Sequence, residues 1–171
     1  MVFSNAKDTT VTKEEPLKSS PRFHFVYFVP FVLGLFLCTG NSARSQMTEA
    51  FLRSYAGEKF EAHSAGLKPK DVNPFTVQVM REKGIDISSQ TSKGVDAYLG
   101  KALFQYLVTV CDDAEKNCPT VWPGVNQRMH WSFEDPAAFE GTYKEKLAKF
   151  REIRDKIEHR VQAWLEEQSI M

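Results

Sequence analysis

Val32-Leu-Gly-Leu-Phe-Leu-Cys38-Thr-Gly-Asn-Ser-Ala-Arg44-Ser-Gln-Met-Thr-Glu-Ala-Phe51 decides how this chain folds. Val32 to Leu37 is short, apolar and β-rich, with Pro30 just ahead of it, which reads as a buried strand. From Ala43 to Tyr55 the apolar residues Met47, Ala50, Phe51 and Tyr55 recur at three- and four-residue spacing, and Gly57 offers a stop, so this segment reads as a helix. Between them lies an eight-residue loop, Cys38 to Ser45. Gly40 relaxes its turn, and Thr39, Asn41, Ser42 and Ser45 carry small hydrogen-bonding side chains. Successive backbone N–H groups in a strand–loop–helix turn converge on one anion, and the helix dipole adds positive potential there.

That setting gives Cys38 and Arg44 a joint reading. The thiolate is the nucleophilic form of cysteine and is favoured by the same positive field. The planar guanidinium of Arg44 can hold two oxygens of a tetrahedral oxyanion. Five residues separate the two, short enough for nucleophile and clamp to face one ligand. Taken alone, the loop specifies a thiolate attacking an oxyanion and leaves the fate of the adduct open.

Outward from this unit, the pattern alternates. Phe60 to Ser64 reads as a second strand. Asn73-Pro74 opens a second helix with a cap and a proline at its first position, ending before Gly84. Thr91 or Ser92 opens a short third helix. Phe104 to Val110 is a further strand that delivers Cys111 to its end, and Arg128 to Phe133 a fourth, followed by Glu134-Asp135-Pro136 in a loop. Thr142-x-x-Glu145 is a capping box for a last helix whose apolar stripe runs Leu147, Phe150, Ile153, Ile157, Val161, Trp164 and Leu165. Alternating strands and helices imply an α/β domain of three layers, a four-stranded parallel sheet flanked by helices, with ligands bound at the carboxyl ends of the strands.

Composition narrows the partners. Acidic and basic residues balance at 22 each in 171 residues, so no overall field favours nucleic acid or an anionic membrane. Three cysteines in a chain of this size point to a reducing, cytoplasmic compartment. Residues 1–22 have the polar composition of a disordered tail. Residues 23–31 are an apolar extension of unassigned role, too short with the strand behind it for a spanning helix, and 32–171 form the domain.

The loop with its preceding FLC resembles the low-molecular-weight protein tyrosine phosphatases, and CTGNSARSQMTEAF is similar to the thioredoxin-coupled arsenate reductases that share their fold. The likeness continues through SAG at Ser64–Gly66, GIDIS at Gly84–Ser88 and HWSFEDPAAFEGT at His130–Thr142, in family order. The resemblance implies that Asp135 is the general acid, although spacing alone favours an aspartate that merely starts a turn. It also gives meaning to Cys111-Asp-Asp-Ala-Glu-Lys-Asn-Cys118, which spacing alone leaves as two ordinary cysteines or half a metal site. In the implied reaction Cys38 forms an adduct with arsenate, Cys111 attacks Cys38 to expel arsenite, and Cys118 attacks Cys111. A Cys111–Cys118 disulfide then passes to an external dithiol such as thioredoxin or a similar thiol reductant, with no bound cofactor.

Disulfide geometry requires Cα atoms within roughly 7 Å, whereas seven positions along an intact helix span about 10 Å, so this polar segment must loop out as it oxidises. Some of these reductases bind potassium through residues matching Asn41, Glu49 and Ser64 plus an aspartate. Lys93 stands at the aspartate's position here, so no metal is expected, and Glu49 and Ser64 become loop supports with Asn41. Ala43 replaces a cysteine of several relatives without consequence for the chemistry. His63, His130 and His159 have no spacing that demands a role. The expectation is a monomeric arsenate reductase using Cys38, Arg44, Cys111, Cys118 and Asp135. The alternatives are a phosphatase that uses Cys38, Arg44 and Asp135 alone, and a non-catalytic oxyanion- or redox-sensing module.

Overall fold

A computed structural model describes residues 32–168. The expected tail, the apolar extension at 23–31 and the last three residues lie outside the described residues. Four parallel strands form one sheet in the order β2-β1-β3-β4. They are β1 Val32–Cys38, β2 Phe60–Gly66, β3 Phe104–Thr109 and β4 Val125–His130. Helices α1 Arg44–Ala56, α2 Pro74–Arg81, α3 Asp112–Asn117 and α4 Tyr143–Glu167 connect or follow them. No helix among the described residues is long and apolar enough to cross a membrane.

Alternation along β1 sorts the core into two layers. Phe36 and Cys38 face the side covered by α1, α2 and α4, together with Phe51, Tyr106, Val108 and the α4 stripe. Leu35 and Leu37 face the other side, where Leu107, Cys118 and Trp122 pack in a thinner layer. All seven stripe residues read from the sequence of α4 are buried. Its capping box is also formed: Thr142 accepts from the Glu145 N–H, and the Glu145 carboxylate accepts from the Thr142 N–H.

Three expected elements differ. The fourth strand is Val125–His130, three residues earlier than read, because Gly124 turns with φ +82° and sets Val125 opposite Phe104. This edge strand is largely exposed and polar, so its sequence lacks the apolar signal that Trp131 and Phe133 supply just beyond it. Residues 91–94 do not open a helix. They run extended beside β2, where Gly66 N–H donates to Lys93 O at 2.8 Å, and only one 3₁₀ turn follows at Val95–Ala97. The Cys111–Cys118 segment, to which the sequence assigned no element, forms α3 with a cysteine at each end.

α4 is fastened to α2 by charge as well as packing. Arg151 grips Glu82 through Nε and NH2 at 2.8 and 2.7 Å, and the buried Arg154 reaches Glu82 Oε2 at 3.0 Å and Val79 O at 2.9 Å. The Arg151 hydrogen bonds, then the Arg154 contacts, hold the Glu82 carboxyl below the usual range near 4.5. A depressed carboxyl contributes stability above its unfolded pKa and loses it as pH falls through the folded one. Glu82→Gln is therefore expected to lower the Tm by roughly 2–4 °C at pH 7, with the difference from the parent vanishing near pH 3 in paired thermal melts.

Candidate active site

The C-terminal end of β1 and the N-terminus of α1 bring the Cys38–Ser45 loop to the rim of the sheet. Its carbonyls are tied outward. Leu67 N–H donates to Cys38 O (3.2 Å), Lys68 N–H to Thr39 O (2.8 Å), Lys70 N–H to Gly40 O (2.8 Å) and Asn73 N–H to Ser42 O (3.0 Å). In a trans peptide the next N–H points opposite its carbonyl, and the described residues contain no cis bond. The N–H groups of Thr39, Gly40, Asn41 and Ala43 are thus turned away from that segment. Asn41 N–H donates to Cys38 Sγ at 3.0 Å, in keeping with this direction.

Asn41 is the hub beneath the loop. Its φ of +46° lies in the left-handed region, which asparagine tolerates better than most residues. Lys93 N–H donates to Asn41 Oδ1 at 2.7 Å, and this fixes the amide's orientation. Its Nδ2 then donates to Ser45 Oγ (2.9 Å) and Ser64 Oγ (2.8 Å). Ser64 donates to Glu49 at 2.5 Å, and Ser45 Oγ, which accepts from Asn41, lies 2.9 Å from Cys38 Sγ and gives that sulfur its hydroxyl proton whenever the sulfur is a thiolate. The Asn41 N–H and the Ser45 hydroxyl thus both meet the Cys38 sulfur, an arrangement that suits a thiolate.

Glu49 anchors that chain against cations. Arg53 pairs with its Oε1, and Lys93 Nζ lies 3.8 Å from its Oε2. The closer partner, Arg53, sits one helical turn after Glu49 on α1, an i,i+4 pair that the sequence reading did not use. Gln46 is a second unread support, donating to Asn41 O and Thr91 O.

Cys38, Arg44, Cys111 and Asp135 line one open cavity of about 650 Å³ with Lys70 and Asp113. Arg44, the first residue of α1 and only 8% exposed, donates to Phe133 O at 3.1 Å and meets Asp135 Oδ2 at 3.1 Å. Clamp and acid candidate thus share one mouth. Asp135 also caps the Pro136–Ala138 turn through the Ala137 N–H, so the turn-forming and acid readings are compatible in one residue. Glu134 points elsewhere, to Lys149 at 2.6 Å.

The three thiols are free and buried. Thr39 Oγ1 links the loop to α3, lying 3.6 Å from Cys111 Sγ and donating to Asp113 at 2.7 Å. Cys118 sits apart. Cys111 belongs to the α1-side core and Cys118 to the thinner layer on the opposite face. Burial pushes the Cys118 thiol up, which keeps it protonated near neutrality.

Gly66 packs directly under the loop. A Cβ there would stand 2.7 Å from Asn41 N and 2.9 Å from Gly40 C, both backbone atoms. Gly66→Ala is expected to displace the loop and lower kcat/KM by at least about 100-fold, with steady-state kinetics as the check and circular dichroism reporting a retained fold.

The profile of the low molecular weight phosphotyrosine protein phosphatase family matches residues 34–170. An arsenate reductase of Halalkalibacterium halodurans is 46% identical over 131 residues, covering 77% of this chain and 93% of the relative. A solved arsenate reductase in the phosphate-binding state aligns with TM-score 0.68 at 29% identity, covering 80% of this chain and 98% of its own. A thioredoxin-dependent arsenate reductase of Corynebacterium glutamicum aligns with TM-score 0.60 at 28% identity, over 81% of this chain and 62% of that one.

Proposed function

The chain belongs to the low molecular weight phosphotyrosine protein phosphatase family, and from that premise we propose that it reduces arsenate to arsenite by a three-thiol relay. The observation that carries this reading is Cys111, which lines the same cavity as Cys38 and lies beside Thr39 of the oxyanion loop. A phosphatase clears its cysteine intermediate with water and has no use for a second thiol there. The 46% identity to an arsenate reductase supports the same choice.

The Cys38 thiolate attacks arsenic held by the loop N–H groups and Arg44, and one arsenate oxygen leaves as water with a proton from Asp135. Cys111 as thiolate then attacks Cys38 sulfur. The new S–S bond forms as the S–As bond breaks, and its electron pair stays on arsenic, which departs as arsenite. Cys118 attacks Cys111, freeing Cys38 as a thiol and leaving the Cys111–Cys118 disulfide. The balance is arsenate plus two thiols giving arsenite, one disulfide and water.

The last step needs movement, because Cys111 and Cys118 end opposite sides of an intact α3. Opening that helix would also bare the raised Cys118 thiol to water and present the disulfide to a dithiol protein, for which thioredoxin is the proposed partner. Arsenate is the substrate and no resident metal is assigned, since Arg53 and Lys93 already meet the charge of Glu49. Three free thiols in a working relay suit a cytoplasmic setting. NADPH oxidation with arsenate, thioredoxin and thioredoxin reductase tests the function. Arsenate-dependent turnover is expected. Hydrolysis of an aryl phosphate without any arsenate reduction would replace this reading with a phosphatase.

A further inference from the structure

Of the six residues of α3 only Ala114 is buried, so apolar contact fastens this helix weakly. Its fastening is polar, and it converges on one ring. Asp112 Oδ1 accepts from Ser132 Oγ at 2.5 Å and faces His130 Nε2 at 3.1 Å. One turn further, Glu115 Oε2 accepts from Thr109 Oγ1 at 2.5 Å and Arg128 NH2 at 3.3 Å, and lies 3.9 Å from His130 Nδ1. His130 Nδ1 itself contacts Thr109 Oγ1 at 2.8 Å.

Proton counting decides the ring's state in this arrangement. Thr109 has one hydroxyl proton and gives it to Glu115, so toward Nδ1 it can only accept. Asp112 is held ionised by Ser132 and then His130, and Glu115 by Thr109 and then Arg128, both below the usual carboxylate range. A carboxylate facing Nε2 can also only accept. Both ring nitrogens therefore donate, and only an imidazolium does that.

We propose that His130, as its imidazolium, is a positioning residue that fastens α3 in the reduced protein and must release it when the Cys111–Cys118 disulfide forms. The inference rests on the three-thiol reading above. Closing the disulfide shortens a helical span of about 10 Å to under roughly 7 Å, which carries Asp112 and Glu115 off the ring. The clasp thus favours the dithiol over the disulfide. Histidine changes charge between pH 5 and 8. The other charged groups facing it are the ionised Asp112 and Glu115 on α3 and Arg128 on β4, with Lys116 near Asp112. A ring that gives up its proton loses one of the two donated hydrogen bonds, and the clasp weakens with it.

The test is the dithiol–disulfide equilibrium of the full chain carrying Cys38→Ser, so that Cys111 and Cys118 form the pair. Mixtures of reduced and oxidised glutathione set the poise: the two protein thiols give two electrons and two protons, and one glutathione disulfide becomes two glutathione thiols. His130→Gln is expected to raise the equilibrium constant for the protein disulfide about fivefold at pH 5.5 and to leave it unchanged at pH 8.5. Ser132→Ala, which removes a donor that does not titrate, is expected to raise it at both pH values. Thermal melts of the reduced variants establish that each is folded. An equal shift for His130→Gln at the two pH values, or none at either, overturns the proposal while leaving the relay standing. Absence of any Cys111–Cys118 disulfide in the Cys38→Ser parent overturns the relay reading and this inference with it.

Discussion

Cys38→Ser is expected to release no arsenite, with turnover at least about 10⁴-fold lower, at the background of the assay. Serine keeps the small side chain and a hydrogen-bonding atom, so the Asn41 N–H and Ser45 hydroxyl that now meet Cys38 Sγ at 3.0 and 2.9 Å retain a partner and the loop keeps its form. The chemistry is lost twice over. A neutral hydroxyl is a poor nucleophile at pH 7, and an oxygen at this position cannot form the S–S bond through which, in the proposed relay, arsenic receives its electron pair. Colorimetric assay of arsenite separates this from misfolding when the variant's Tm stays within a few degrees of the parent.

Cys118→Ser is expected to behave differently, and the difference carries the mechanism. Cys38 and Cys111 still line one cavity, so the first arsenite is made and released. The resulting Cys38–Cys111 disulfide then has no internal thiol to attack it. Both sulfurs belong to residues only 2% exposed, which shields them from a protein reductant. One arsenite per chain should appear, followed by steady turnover at least about 100-fold below the parent. Rapid-quench measurement of arsenite against time reads both quantities, and a variant that cycles at the parental rate would remove Cys118 from the relay.

Features governed by neighbours in the sequence were legible without coordinates. The Cys38–Ser45 loop, the Asn73-Pro74 start of α2 and the Thr142–Glu145 capping box each depend on residues within a few positions, and each stands where the sequence put it. The α4 stripe was legible because a long helix repeats its signal many times. β4 was misplaced because an exposed edge strand has little apolar alternation to read, and Trp131 after it is buried for another reason, its packing against Phe36 and Trp164.

α3 was missed because its caps are cysteines with no side-chain capping bond, and its helical form is held by residues far away in sequence. The same distance hid His130, which meets Thr109 and Asp112 across 21 and 18 positions. The network under the loop lies between these cases. Asn41, Glu49 and Ser64 entered through family likeness, whereas Gln46 and Arg53 emerged only from their contacts. The residues 67–73 that tie the loop carbonyls contribute backbone atoms, for which side-chain identity carries no signal.

The central claim is that bound oxyanion is reduced and that the oxidising equivalents finish on the last two cysteines. Fully reduced protein mixed with one equivalent of arsenate, with no external reductant, then alkylated and mapped by peptide mass, tests it in one step. One arsenite per chain, a Cys111–Cys118 disulfide and an alkylated, free Cys38 are expected. Three alkylated cysteines and unconsumed arsenate would contradict it.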